Sequence, residues 1–179
     1  ELIRDYYNSP RPAVNYEGKY CGLWTKDFGS RVQGWAAFLC GFCGYGYGAI
    51  DIWLYDSSFD AGVPSFDGVD SISVEDKAKP WSESIEYPSA HQMGYLRSYL
   101  ESFDWWNLVP VLSDEPSFDA ESAAYFYAKT DKKHVLYFFA KNELATGTIK
   151  DMDPDSEVEL EWFNPRTGET APAVKMTVS

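Results

Sequence analysis

The sequence predicts an α/β segment over residues 1–115 followed by an all-β segment over residues 116–179. In the first segment, apolar residues recur at helical spacing between two short strand-like runs. After about Pro116 the hydrophobic period becomes two-fold, and turn signals separate the runs. Hydrophobic residues make up 45% of the 179 residues, which is enough to build a core and argues against disorder.

The acidic composition limits the possible partners. The formal net charge is −13 and the pI about 4.4, whereas phosphate binding needs clustered Lys and Arg, so we expect no nucleic-acid partner. The same charge disfavours an anionic membrane surface, and no apolar run predicts a membrane span. Aromatic residues make up 17% of the chain, which suits either a core of large rings or a carbohydrate-binding cleft.

The three cysteines do not form a disulfide framework, because their number is odd. Cys40 and Cys43 have C-x-x-C spacing, which leaves a redox or metal role open. Their neighbours are apolar, however, and both histidines, His91 and His134, lie far away in the sequence. We therefore favour small buried thiols in a packed helix, and expect neither a metal nor a cofactor.

The first segment opens with the end of a helix, residues 1–9, which two prolines terminate. A short strand follows, from about Ala13 to Glu17, and its alternation places Asn15 and Glu17 on the same face. Residues 18–29 predict a loop.

A buried helix comes next. Ser30 is expected to cap it, and its mostly apolar surface runs to about Cys43.

A second strand is predicted from Tyr45 to Trp53. Its alternation places Asp51 and Trp53 on one face, and Gly46 and Gly48 are expected to let a helix pack close to the sheet. Two strands joined by a helix predict a parallel β–α–β unit. Two parallel strands cannot stand alone, so a missing N-terminal half or a second chain is expected to complete the sheet.

The rest of this segment is predicted to be a long polar loop followed by helices. Residues 56–79 carry many carboxylates, and we favour a solvated lid over calcium binding because their spacing matches no calcium loop. Pro80 opens a short helix, and a second helix spans about Ser89 to Ser102. The apolar stripe of that second helix consists of Met93, Leu96, Leu100 and Phe103.

The second segment predicts an antiparallel β-sandwich-like domain. Residues 123–128 and 134–140 are predicted strands joined by a tight turn. Residues 157–163 form another strand, residues 164–168 turn, and the chain runs back over residues 169–178.

Glu17 is the candidate catalytic residue. A carboxylate at the carboxyl end of a parallel strand occupies the place where α/β barrels keep catalytic groups. It shares a strand face with Asn15 and has Tyr16, Tyr20 and Trp24 as aromatic sequence neighbours.

Five motifs occur in an order that resembles the apiosidase-like bacterial glycoside hydrolases. They are Pro12 to Glu17 followed by Tyr20, Arg31 with Trp35 and residues 41–48, Ile52-Trp53, His91 to Arg97 with residues 106–110, and the Trp162 to Glu169 hairpin. One departure is Cys21, where the family often has Glu.

The resemblance implies the final strands and helices of an incomplete (β/α)8 barrel, followed by a β-domain of the collagen-binding type. It implies a retaining glycoside hydrolase whose nucleophile is Glu17, with Tyr20 as its hydrogen-bonding neighbour and Trp53 as a sugar-stacking platform. Asn15 and Asp51, which are expected to face inward, complete the candidate substrate-binding residues. The acid/base would come from an earlier strand, so the 179-residue chain alone is expected to be inactive.

The rival interpretation is a non-catalytic module that binds carbohydrate or protein. Its platform would be exposed rings on the β-domain, namely Tyr125, Tyr127 or Tyr137. We favour a β-domain that only packs on the barrel. Two compartments stay open. Relatives that digest plant glycans are often exported, whereas the free thiols suit a reducing compartment.

Overall fold

The computed structural model describes residues 7, 10–22, 26–54, 79–110, 118–120, 125–130, 134–139, 147–149 and 152–178. For residues 53–54, 118–120, 125–130 and 147–149, only the backbone is described. The predicted first helix therefore lies outside the described residues, apart from Tyr7, which is helical. The long polar loop also lies outside them, except for Lys79.

The chain begins with the expected parallel β–α–β order. Strand β1 (Val14–Asn15) is followed by helix α1 (Asp27–Leu39) and strand β2 (Gly44–Tyr45). The two strands pair in parallel, with Val14 opposite Gly44 and Asn15 opposite Tyr45. Strand β1 is shorter than predicted and ends two residues before Glu17.

Helix α1 begins earlier than predicted. Its N-cap position is Lys26, which makes no side-chain cap, and Ser30 is a fully buried residue inside the helix, so the prediction that Ser30 caps it was wrong. The helix ends at Leu39 because Gly41, with a φ of 91°, adopts the left-handed conformation that terminates helices. Cys43 lies beyond the helix.

The strand predicted from Tyr45 to Trp53 was also wrong. Strand β2 contains only Gly44–Tyr45, and residues 50–54 form helix α2 (Ile50–Leu54). Asp51 and Trp53 therefore lie on a helix, where residues two apart do not share a face. The alternation of aromatic and small residues in this run is typical of a strand, but contacts with distant residues stabilise a helix at residues 50–54.

Three helical segments follow. Helix α3 (Trp81–Ser84) and helix α4 (Pro88–Leu100) match the prediction, with proline in the first turn of α4, where no backbone N–H is needed. A 3-10 turn covers Trp105–Asn107. The predicted apolar stripe is confirmed, since Leu96 and Leu100 are buried and Met93 and Phe103 pack beside them. No described helix is long and apolar enough to cross a membrane.

The C-terminal part forms small antiparallel sheets. The predicted hairpin is confirmed as β5 (Tyr125–Thr130) and β6 (His134–Phe139), and β3 (Val109–Pro110) adds a third strand beside β5. Strand β4 (Phe118–Ala120) pairs with β7 (Gly147–Ile149), and neither was predicted.

The final hairpin has the predicted turn between its two strands. Strand β8 (Glu157–Leu160) pairs with β9 (Val174–Thr177), and Phe163 bridges Thr170 on either side of the turn. Gly168 occupies the left-handed position of that turn, with a φ of 75°.

The main hydrophobic core joins the helices to the β-strands. Its buried members are Trp35 and Leu39 from α1, Leu96 and Leu100 from α4, and Phe138 from β6. The rings of Trp35 and Phe138 stack with a centroid distance of 5.4 Å. Both parts of the chain therefore share one core.

Candidate active site

Glu17 lies just beyond β1 and its side chain is exposed. The hydroxyl of Tyr20 donates a hydrogen bond of 2.8 Å to Oε1 of Glu17. This bond, reinforced by partial burial and by the negative charge of Glu17, raises the pKa of Tyr20 above its ordinary value. The phenol therefore stays protonated and remains a donor to the carboxylate.

The segment that carries Glu17 is attached to the β2 region at both ends. Before Glu17, the N–H of Gly46 donates to the carbonyl of Asn15 at 2.7 Å. After it, Cys21 forms a parallel bridge with Ala49. Residues 16–20 therefore form a short loop whose ends cannot move independently of β2.

Gly46 and Gly48 meet this loop rather than a helix, so that sequence expectation was wrong. The nearest atoms to a Cβ built at Gly46 belong to the main chain of Tyr16. At Gly48 they belong to the ring of Tyr20. Both glycines therefore let the Glu17 loop approach closely.

A buried polar cluster lies behind the loop. The hydroxyl of Ser89 is 3.1 Å from Sγ of Cys21 and 2.9 Å from the hydroxyl of Tyr47. Asp27 accepts the backbone N–H of Ser89 at 2.8 Å, which satisfies a free donor in the first turn of α4. Burial raises the pKa of the Cys21 thiol, so this cysteine is suited to packing rather than to nucleophilic attack.

Asp51 is the centre of a second buried network. Its carboxylate accepts hydrogen bonds from the hydroxyl of Tyr87 at 2.6 Å, the N–H of Lys79 at 2.7 Å and the hydroxyl of Ser84 at 3.0 Å. Only 2% of Asp51 is exposed. The network ties α2 to the segment around α3.

Two further candidate residues, Asn15 and Trp53, lie on β1 and on α2. The side chain of Asn15 is half-buried on β1. Trp53 lies on α2, and its side chain, like all of Trp24, is outside the described residues. In the part of the chain that the structure describes, no group of three or more His, Cys, Asp or Glu side chains lies together as a metal site would require.

Sequence reasoning missed the residues that form the two buried networks. Ser84, Tyr87 and Ser89 lie 33, 36 and 68 positions from their partners Asp51 and Cys21. No local spacing signals such a contact. Of the rings considered for the rival interpretation, Tyr137 is half-buried, and the side chains of Tyr125 and Tyr127 are outside the described residues.

Comparison with known proteins assigns the chain to a family. The sequence profile described as "Apiosidase-like, catalytic domain" matches residues 3–107. The chain belongs to the apiosidase-like catalytic-domain family. No curated protein matches it.

Solved structures show a similar fold at low sequence identity. One is a glycoside hydrolase family 5 protein from Bacteroides vulgatus, with a TM-score of 0.71 and 16% identity, covering 99% of this chain and 39% of that one. Another is described as a glycoside hydrolase, with a TM-score of 0.62 and 15% identity, covering 97% of this chain and 40% of that one. The chain thus spans about two fifths of the length of these structures.

Proposed function

We propose that residues 1–115 are the C-terminal part of a (β/α)8 glycosidase barrel and that residues 116–179 form an appended β-sandwich-like domain. The parallel β1–α1–β2 order supports the barrel assignment, because it is the repeating unit of such barrels, and the antiparallel pairing of β5 with β6 supports the β-domain. A complete barrel takes about 250 residues. The remaining strands would come from sequence outside these 179 residues or from a second chain.

We further propose that Glu17 is the nucleophile of a retaining glycoside hydrolase. The observation that carries this role is an exposed carboxylate directly after a parallel strand, held by the Tyr20 hydroxyl at 2.8 Å. Glu17 would attack the anomeric carbon and form a covalent glycosyl-enzyme intermediate. A second carboxylic acid would protonate the leaving oxygen, and water would then release the sugar.

The other candidate residues take supporting roles in this proposal. Tyr20 orients the Glu17 carboxylate. Asn15 and Trp53 are candidate sugar contacts, from β1 and α2. Asp51 supports substrate binding indirectly, by fixing the position of α2, because three donors already engage its own oxygens.

The 179-residue chain alone is expected to be inactive. A retaining mechanism needs two carboxyl groups about 5 Å apart. Asp51 is the candidate for the second carboxyl group within this chain, but it is buried and hydrogen bonds already engage its oxygens. Turnover of an aryl glycoside by the isolated chain, abolished by Glu17→Gln, would overturn this expectation.

The nucleophile role is tested in a complete barrel, whether its other strands come from further sequence or from a second chain. On a panel of aryl glycosides that includes an apioside, Glu17→Ala should lower kcat on the order of 1,000-fold or more. Added azide should restore turnover by taking the place of the carboxylate, and the glycosyl azide should have the inverted anomeric configuration. The matched control is Glu159→Ala, an exposed carboxylate on β8, which should leave kcat unchanged. Full activity of Glu17→Ala would reject the role.

A further inference from the structure

Gly48 lies directly against the aromatic ring of Tyr20. A Cβ atom built at Gly48 would overlap Cδ1 and Cε1 of that ring and would lie 3.4 Å from its Cγ. Any side chain at this position must therefore displace the ring. The hydroxyl of the same ring is the group that donates to Glu17.

The backbone around Gly48 leaves little room to relieve such an overlap. The carbonyl of Gly48 accepts the N–H of Cys21 at 2.9 Å, and the N–H of Ile50 donates to the carbonyl of Cys21 at 2.9 Å. Tyr20 is the residue next to Cys21, so it cannot move away from Gly48 without straining these bonds. The ring itself would have to turn.

The need for glycine at this position comes from space and not from backbone conformation. Gly22, Gly41 and Gly168 have a positive φ, whereas Gly48 does not. An alanine at Gly48 would therefore be acceptable to the backbone and would conflict only with the ring of Tyr20.

We propose that Gly48 is a positioning residue that seats the Tyr20 ring so that its hydroxyl reaches the carboxylate of Glu17. The importance of Gly48 for catalysis rests on the proposed nucleophile role of Glu17. Its contact with the Tyr20 ring does not depend on that role. Gly48→Ala should turn the ring, break the hydrogen bond and leave the Glu17 carboxylate without its phenol donor.

The experiment follows the titration of Tyr20 by NMR in the 179-residue chain labelled at the tyrosine ring carbon that bears the hydroxyl. Tyr20→Phe assigns the signal. Because the hydrogen bond to Glu17 is the first cause that raises the pKa of Tyr20, Glu17→Ala should lower that pKa and so define its value without the Glu17 carboxylate. Gly48→Ala is expected to lower it part of the way to that value, since the hydrogen bond is lost but the negative charge of Glu17 remains. The matched control is Gly94→Ala on α4, where a Cβ meets nothing within 4 Å, and it should leave the Tyr20 titration unchanged.

Two results would overturn the assignment. One is a folded Gly48→Ala chain whose Tyr20 titrates as in the native chain, and the other is a native Tyr20 that does not respond to Glu17→Ala. If Gly48→Ala fails to fold, the double variant with Tyr20→Ala decides. Recovery of the fold supports the positioning role of Gly48, since the clashing ring is gone. Continued failure to fold rejects that role. If Glu17→Ala proves active in the complete barrel while the titration behaves as expected, only the nucleophile role fails.

Discussion

Two regions of this molecule are held together by opposite physical means. Between α1, α4 and β6, large apolar side chains pack against one another, and the ring of Trp35 stacks on that of Phe138. Around the Glu17 loop, the contacts are hydrogen bonds among buried polar groups, centred on Asp51 and on Ser89. Apolar burial is non-directional and grows with area, whereas hydrogen bonds require defined distances and angles.

The difference assigns separate tasks to the two regions. The apolar core supplies stability, because it removes large rings from water. The polar networks supply placement, because each buried donor or acceptor must meet its partner or lose free energy. The nucleophile role that we propose for Glu17 would require placement more than burial, and the Glu17 side chain is exposed but accepts a hydrogen bond from Tyr20.

The largest expected effect comes from Trp35→Ala in the apolar core. Trp35 is only 3% exposed and contacts the rings of Phe138, Tyr99 and Phe163. The substitution should lower the free energy of unfolding by about 3–5 kcal/mol, as measured by urea denaturation. The control is Trp106→Ala, since Trp106 is 65% exposed and its loss should cost less than about 1 kcal/mol. Equal losses for the two variants would contradict the role of this core.

Removing the Asp51 carboxylate should have the next largest effect. Asp51→Ala removes the acceptor of the Tyr87 hydroxyl and of the Lys79 N–H, and leaves the buried Ser84 hydroxyl only the carbonyl of Pro80 at 3.5 Å, which should cost about 2–3 kcal/mol. The free energy of unfolding measures the loss, and Glu159→Ala on the exposed face of β8 should change it by no more than about 0.5 kcal/mol. An Asp51→Ala chain as stable as the control would remove Asp51 from the framework.

A third expected effect is a loss of stability at high pH, to which buried phenols near the polar networks contribute. Burial raises the pKa of Tyr45, Tyr47 and Tyr87 from 10.0 to about 12. The folded chain therefore keeps phenol protons that the unfolded chain releases above pH 10. Their contribution to stability is complete below pH 10 and is lost as the pH rises towards 12.

Unfolding free energies measured at pH 8, 10 and 11 test this dependence. Stability should fall above pH 10, and the fall should be smaller in Tyr87→Phe than in the native chain. Burial also raises the pKa of Tyr99, which contacts Trp35. A Trp35→Ala chain should therefore keep only the part of the fall that Tyr45, Tyr47 and Tyr87 contribute, on a lower baseline. A native chain equally stable at pH 8 and pH 11 would contradict the expectation.

The parts of the fold that the sequence predicted are those governed by local periodicity. Leu96 and Leu100 recur at helical spacing and are buried on α4 as expected. The β5–β6 hairpin and the turn that contains Gly168 follow from two-fold alternation and from glycine at a left-handed position. In each case the controlling residues are close in the sequence.

The errors arise where distant partners override a local pattern. Residues 50–54 lie in a run that alternates like a strand, yet they form a helix whose Asp51 is held by donors from residues 79–87. Ser30 has the residue type of an N-cap but is buried inside α1. Neither outcome has a signal within the surrounding residues.

The same division applies to the candidate site. The sequence alone determined that Tyr20 follows Glu17 by three residues and that Gly46 and Gly48 lie between Tyr45 and Ile50, because these are properties of residue order. It also predicted that Glu17 ends the first strand, but β1 ends at Asn15. Only the tertiary structure decided that the ring of Tyr20 rests on Gly48 and that three donors engage the carboxylate of Asp51. It also supplied the 2.8 Å distance of the hydrogen bond between Tyr20 and Glu17, which the family resemblance implied. Those contacts join residues brought together by the packing of α1 and α4 on the strands, and hydrogen bonds form only once that packing sets their distances.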